Sequence, residues 1–176
     1  MSKKSTLSED KKFYSLSQIL LHWLIALLVF YQLAVSSGVE ETYQIFLNTG
    51  EWSNHISNNA VIHIIIGFLI LFGMLLRLYL RVKTKIPPLP LSIPIPLKLF
   101  ARSSHFFIYF FLFLMPITGI LGWFWELKFS LIVHTLSSKI LLALILIHFC
   151  AAIFHEGVLG NKILHRMFQH KENSKH

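Results

Sequence analysis

The sequence predicts an all-α fold, a transmembrane four-helix bundle with both termini cytoplasmic, and three observations predict it. Of 176 residues, 55% are apolar and only 14% charged, far from the balance of a soluble domain. Mean hydropathy is +0.62. Four stretches are long and apolar enough to cross a bilayer, and basic residues gather in every second connecting segment.

The spans follow in chain order. Phe13 to Val39 carries no charge; Ala60 to Leu76 is uncharged and continues past Arg77 to Leu80; Ser103 to Trp125 is uncharged; Phe129 to Phe154 is broken only by Lys139. The first stretch reads as a retained helix, because its apolar run exceeds an ordinary signal core and the basic segment before it also carries Glu9 and Asp10.

Topology follows from the short connections. Lys3, Lys4, Lys11 and Lys12 precede the first span; Arg81, Lys83, Lys85, Lys98 and Arg102 lie between the second and third; Lys162, Arg166, Lys171 and Lys175 follow the fourth. The first connection has Glu40, Glu41 and Glu51 and no basic residue, and the third has only Glu126 and Lys128. By the positive-inside rule the basic side is cytoplasmic. The net charge of +8 is thereby a topology signal, and no nucleic-acid partner is expected.

The expected organisation is a cytoplasmic segment over residues 1–12, a membrane domain over 13–156 and a basic amphipathic tail over 157–176. Pro87, Pro88, Pro90, Pro94 and Pro96 make the second connection a stiff extended strap. In the tail Ile163, Leu164, Met167 and Phe168 form an apolar thread suited to a short helix on the inner surface.

An imidazole in hydrocarbon is costly enough to need a partner or a task. His134 and His148 are fourteen residues apart on one span, hence on nearly one face and roughly 21 Å apart in depth. His22 in "LLHWL" falls at the depth of His148, and His63 in "VIHIIIG" at that of His134. Each histidine alone reads equally well as a packing or hydrogen-bonded residue. Two facing pairs at two depths suit the axial positions of two haem irons, with a Phe- and Leu-rich interior for the macrocycles.

Other residues fit around that arrangement. Gly67, four residues after His63, leaves room for a macrocycle on the same face, although a small residue also serves bare helix packing. Arg77 shares the His63 face at the cytoplasmic level, where it would meet a haem propionate or snorkel to the surface. His105 and His155 fall near the cytoplasmic surface as interfacial or propionate-facing groups, or as substitutes in the inner pair. His55, His165, His170 and His176 read as solvated. The single Cys150 and the lack of a C-x-x-C-H motif exclude covalent attachment and leave b-type haem.

"LLHWL", "VIHIIIGFLILFGMLLRLYLR", "HFFIYFFLFLMPITG" and "HTLSSKILLALILIHFCAAIFH", in that order in so short a chain, resemble the bacterial cytochrome b561 family over roughly residues 13 to 170. The resemblance implies a multi-pass inner-membrane protein with two non-covalent b haems, ligated at His22, His63, His134 and His148. It also implies electron exchange between membrane quinone, such as ubiquinone, and a donor or acceptor at the other surface. Some members resemble superoxide oxidases, and others resemble cytochrome b subunits that anchor a multisubunit reductase and so have a partner subunit. Lys139 and the first outer connection depart from the family pattern. Lys128 and Lys139 are the only outer cations to steer an anion such as superoxide. A histidine-based metal or proton transporter is the rival class, but no Asp or Glu falls within the spans.

Overall fold

The computed structural model describes residues 14–35, 37–52, 57–84, 93–160 and 164–168. Among these residues five α-helices follow in order: α1 Leu16–Ala34, α2 Ser37–Thr49, α3 Asn58–Thr84, α4 Ile95–Phe124 and α5 Lys128–Gly157. A 3₁₀ turn, His165–Met167, comes after them. No strand occurs among the described residues. α1, α3, α4 and α5 are each long and apolar enough to cross a membrane.

The four long helices run up and down. Gln18 at the start of α1 donates to Thr84 Oγ1 at the end of α3 (2.7 Å), and Gln32 at the end of α1 donates to the His63 carbonyl near the start of α3 (2.8 Å). Ser15 caps α1, with its hydroxyl accepting from the Gln18 N–H while the Gln18 side chain accepts from Ser15 N–H. The face holding the start of α1 and the 3₁₀ turn is called here the terminal face. The opposite face carries α2 and is the capped face.

Close packing joins α4 to α5, α1 to α3 and α3 to α4. The core is a thin apolar seam of Leu21, Ile25, Val29, Ile70, Met74, Leu112 and Leu141. Most large apolar side chains, such as Phe72 and Phe129, point outward, as helices solvated by lipid require. At Gly73 an added Cβ would lie 3.2 Å from Ile25, so the missing side chain lets α1 and α3 approach.

α4 and α5 form the tightest hairpin. Glu126 adopts φ 56 between them, and the Leu127 N–H returns to the Leu121 carbonyl (3.4 Å), closing the end of α4. A side chain at Gly122 would overlap Leu131. Ser130 donates to the Thr118 carbonyl across the same interface (2.9 Å).

The structure differs from the sequence reading in two connections. The first outer connection, expected as a loop, contains α2, and the first span ends at Ala34, not at Val39. The reason is an apolar stripe of Val39, Tyr43, Phe46 and Leu47 at helical spacing, with Phe46 only 1% exposed and stacked on Trp52 at 4.1 Å. The proline strap is shorter than expected: α3 runs on to Thr84, and Pro94 and Pro96 open α4 at its N-cap and first turn, where a missing N–H costs no hydrogen bond. Pro87, Pro88 and Pro90, the segment 1–12, and His55, His170 and His176 lie outside the described residues. His165 is exposed.

Gly122→Ala should destabilise the bundle by about 1–3 kcal/mol, the usual range for overpacking, read as a lower thermal midpoint in detergent. Adding Leu131→Ala should recover part of the loss, because the double variant removes the overlapping side chain.

Candidate functional site

His63 sits in the second turn of α3 and His134 in the second turn of α5, both near the capped face. Their ring centroids are 6.0 Å apart with planes inclined by 65°. Beside them is an apolar cavity of about 390 Å³. α2 supplies its roof through Val39, Glu40 and Tyr43, joined by Trp52. Trp52 stacks on Phe46 and meets Trp123 at 4.3 Å. Lys128 latches this roof, donating to the Leu47 carbonyl (3.2 Å) and lying 5.5 Å from the Phe46 ring.

His134 Nδ1 is 2.8 Å from the Met115 carbonyl oxygen. A carbonyl only accepts, so Nδ1 carries the proton and Nε2 is left with a free lone pair, the state of an imidazole ready to ligate. His63 Nδ1 is buried without a hydrogen-bond partner, while its backbone is fixed by Gln32. Gly67 lines the same cavity, and a Cβ there would meet only Gln32 Nε2, at 3.8 Å. The space in front of Gly67 is therefore open. Lys139 also lines this cavity.

A second group gathers toward the terminal face. His22 lies within electrostatic reach of Arg77, His148 and His105, and its ring meets Trp23 edge-on at 5.4 Å. His105 stands perpendicular to His148 with centroids 4.9 Å apart. Its Nδ1 is bonded to the Ala101 carbonyl at 2.6 Å, which leaves Nε2 bare. Arg77 Nε donates to Tyr109 Oη (2.8 Å), and Arg81 lies over the same ring at 5.3 Å. Arg77 Nη1 is buried with no partner, so a guanidinium proton is available to an anion. His155 is only 8% exposed, and its Nδ1 is likewise unpartnered.

The structure thus brings His63, His134 and Gly67 together around one cavity, and gathers His22, His148, His105 and Arg77 at the other level. No cluster of three or more His, Cys, Asp or Glu that could hold a metal ion occurs among the described residues; the histidines come as pairs across helices. Sequence reasoning missed Gln32, Met115, Thr118 and Gly119. The only available signal was "MPITG", whose proline marks an irregular point in α4.

Imidazoles collected at two depths inside an apolar helical bundle are the mark of membrane b-type cytochromes. The chain belongs to the prokaryotic cytochrome b561 family, whose model matches residues 14–170. It is also similar to a cytochrome b562 from Cereibacter sphaeroides, with 26% identity over 156 residues, covering 89% of this chain and 95% of that protein. The chain is accordingly a multi-pass bacterial membrane protein of b-type electron transport, and haem b is the group its family implies.

The residues present fit that group. Two imidazoles sharing one iron have ring centroids roughly 6 Å apart, since each metal–nitrogen bond is about 2 Å, and His63 and His134 are at 6.0 Å. The orphaned Nη1 of Arg77 suits a propionate.

Gly67→Ala should leave the protein fold intact, because a lone Cβ meets the chain itself only at Gln32, but should lower the haem content of purified protein by narrowing the space a macrocycle would use. Gly67→Leu should lower it further by filling the cavity. A pyridine haemochrome assay on both variants checks this.

Proposed function

We propose that this cytochrome carries electrons across the membrane through two b haems, one held by His63 and His134 and the other by His22 and His148. The observation that carries the reading is the His63–His134 pair, at 6.0 Å across the walls of an apolar cavity. Haem b supplies the one-electron iron couple. The chain supplies bis-imidazole coordination, an apolar housing and charge compensation.

His134 offers Nε2 because Met115 holds its Nδ1 proton. The α2 roof, latched by Lys128, covers the cavity beside the His63–His134 pair. At the other level Arg77, braced by Tyr109, would bind a propionate. His105 and His155 would face that haem, or a quinone beside it, as proton-bearing groups. The interval between the two ligands on α5 sets the levels roughly 21 Å apart in depth.

The basic connections favour the terminal face as cytoplasmic. Electrons would pass between an external partner at the capped face and a membrane quinone, ubiquinone being one such acceptor. Superoxide is the external donor that resemblance offers; a partner subunit, as in multisubunit reductases, is the other arrangement.

Two haems per polypeptide are expected from a haemochrome assay, and one or none would refute the reading. His63→Ala and His134→Ala should each remove the same spectral component, and His22→Ala and His148→Ala the other. A common component lost from His63→Ala and His22→Ala would show the pairing to be wrong. In protein that keeps both haems, His155→Ala should slow quinone reduction while leaving haem reduction from the capped face unchanged. Normal quinone kinetics would move the quinone away from the terminal face.

A further inference from the structure

His63 and His134 differ in how their second nitrogen is held. His63 Nδ1 has no partner. His134 Nδ1 has two neighbours, the Met115 carbonyl at 2.8 Å and Thr118 Oγ1 at 3.3 Å. Since the carbonyl fixes the proton on Nδ1, the Thr118 oxygen must act toward it as an acceptor.

A hydroxyl has one proton and two lone pairs. Thr118 Oγ1 lies 2.8 Å from the Leu114 carbonyl and 3.0 Å from that of Met115. Donation to Leu114, the nearer oxygen and one turn back, leaves a lone pair for the imidazole.

Thr118 is itself held in place. It is only 6% exposed, and its carbonyl accepts from Ser130 Oγ (2.9 Å), one helical turn before His134 on α5. The neighbouring Gly119 lies close against the ring: a Cβ there would lie 3.2 Å from His134 Cε1 and 3.3 Å from Nδ1. The Nδ1 edge of the imidazole is thus confined by the backbone at Gly119 and by a hydroxyl whose own proton is committed.

We propose that Thr118 is a positioning residue for His134, sharing its Nδ1 proton with the Met115 carbonyl and so setting the plane of the ring and the basicity of Nε2. The proposal rests on the reading of His63 and His134 as an axial pair. Hydrogen bonds accepted from the far nitrogen of an imidazole raise its basicity as a ligand and fix its orientation, and a more basic ligand favours ferric iron. The outer haem would be held at a lower potential than a haem with free imidazoles, with its two ring planes strongly inclined.

The test uses the full-length protein in detergent with haem bound, as wild type, Thr118→Val and Thr118→Ser. Three quantities are read: haem per polypeptide, the highest g-value of the ferric outer haem in electron paramagnetic resonance, and its midpoint potential. The g-value reports the angle between the axial ring planes, a feature that a general packing defect would not restore with a hydroxyl.

Thr118→Val should shift that g-value and raise the outer potential, leaving the inner haem unchanged; Thr118→Ser should return both to wild type. If Thr118→Val instead loses the outer haem, its recovery in Thr118→Ser supports the same role. An outer g-value and potential unchanged in Thr118→Val, or a Thr118→Ser variant that does not recover, overturns the proposal. A wild-type protein with no low-spin signal that disappears in His63→Ala refutes the axial pair itself, which is a separate result.

Discussion

An imidazole placed in hydrocarbon has two nitrogens to satisfy and almost nothing to satisfy them with. The bond from His134 Nδ1 to the Met115 carbonyl resolves half of that problem inside the protein, and the rest of the capped half of the bundle is arranged so that it can form. It requires α4 to present a carbonyl toward α5, and so the two helices must lie close. Gly119 and Gly122 permit that approach, each occupying a position where a Cβ would press on α5. The tight turn through Glu126 then fixes which residues of the two helices stand opposite one another. A left-handed backbone at a residue with a Cβ costs roughly 1–2 kcal/mol, and here it accompanies a hairpin whose register decides where His134 points.

The same economy of contacts explains why the interior is thin. α1 packs on α3, α3 on α4 and α4 on α5, a chain of neighbours that leaves a cavity where α3 and α5 face each other. Apolar side chains gain nothing by leaving lipid for a protein core of equal polarity. Close contact is therefore concentrated where glycine or a hydrogen bond rewards it: Gly73 against Ile25, Gln32 on the His63 carbonyl, Gln18 on Thr84. The cavity between His63 and His134 follows from this distribution, with Gly67 and Gly119 opening space among larger lining residues such as Phe68, Leu112 and Trp123.

Much of this was legible in the sequence, because the signals that carry it act along one helix at a time. Hydropathy reveals four spans, and helical periodicity places His134 and His148 on one face and Gly67 on the face of His63. What was not legible depends on how helices are turned toward each other. The approach of His105 to His148 is a matter of the rotation of α4, which periodicity within α4 does not specify. Met115 contributes through a backbone carbonyl, and a carbonyl leaves no mark on side-chain pattern. α2 escaped notice because its apolar stripe is short and is bordered by Glu40, Glu41 and Asn48, so that its burial depends on Trp52 and Trp123, which come from later in the chain.

The two faces of the bundle are built on different physics, and the difference bears on what each can meet. At the capped face the ring pair is closed in by stacked aromatics under a short helix, with the Lys128 ammonium spent on a carbonyl and an aromatic face. Apart from His63 Nδ1, which is buried without a partner, the polar groups described there are engaged, and α2 covers the cavity. At the terminal face the polar groups outnumber their partners: Arg77 Nη1 and His155 Nδ1 are buried and unpaired, and Arg81 rests on Tyr109. The tail closes over this side by contacts of its own, with Trp23 donating to the Met167 carbonyl (3.0 Å) and Glu156 accepting from the Leu164 N–H (3.1 Å). Buried donors without acceptors are costly in an apolar medium, and an anionic group such as a propionate relieves that cost directly. The terminal face therefore depends on an anion more than the capped face does, while the capped face depends on the fit of its roof.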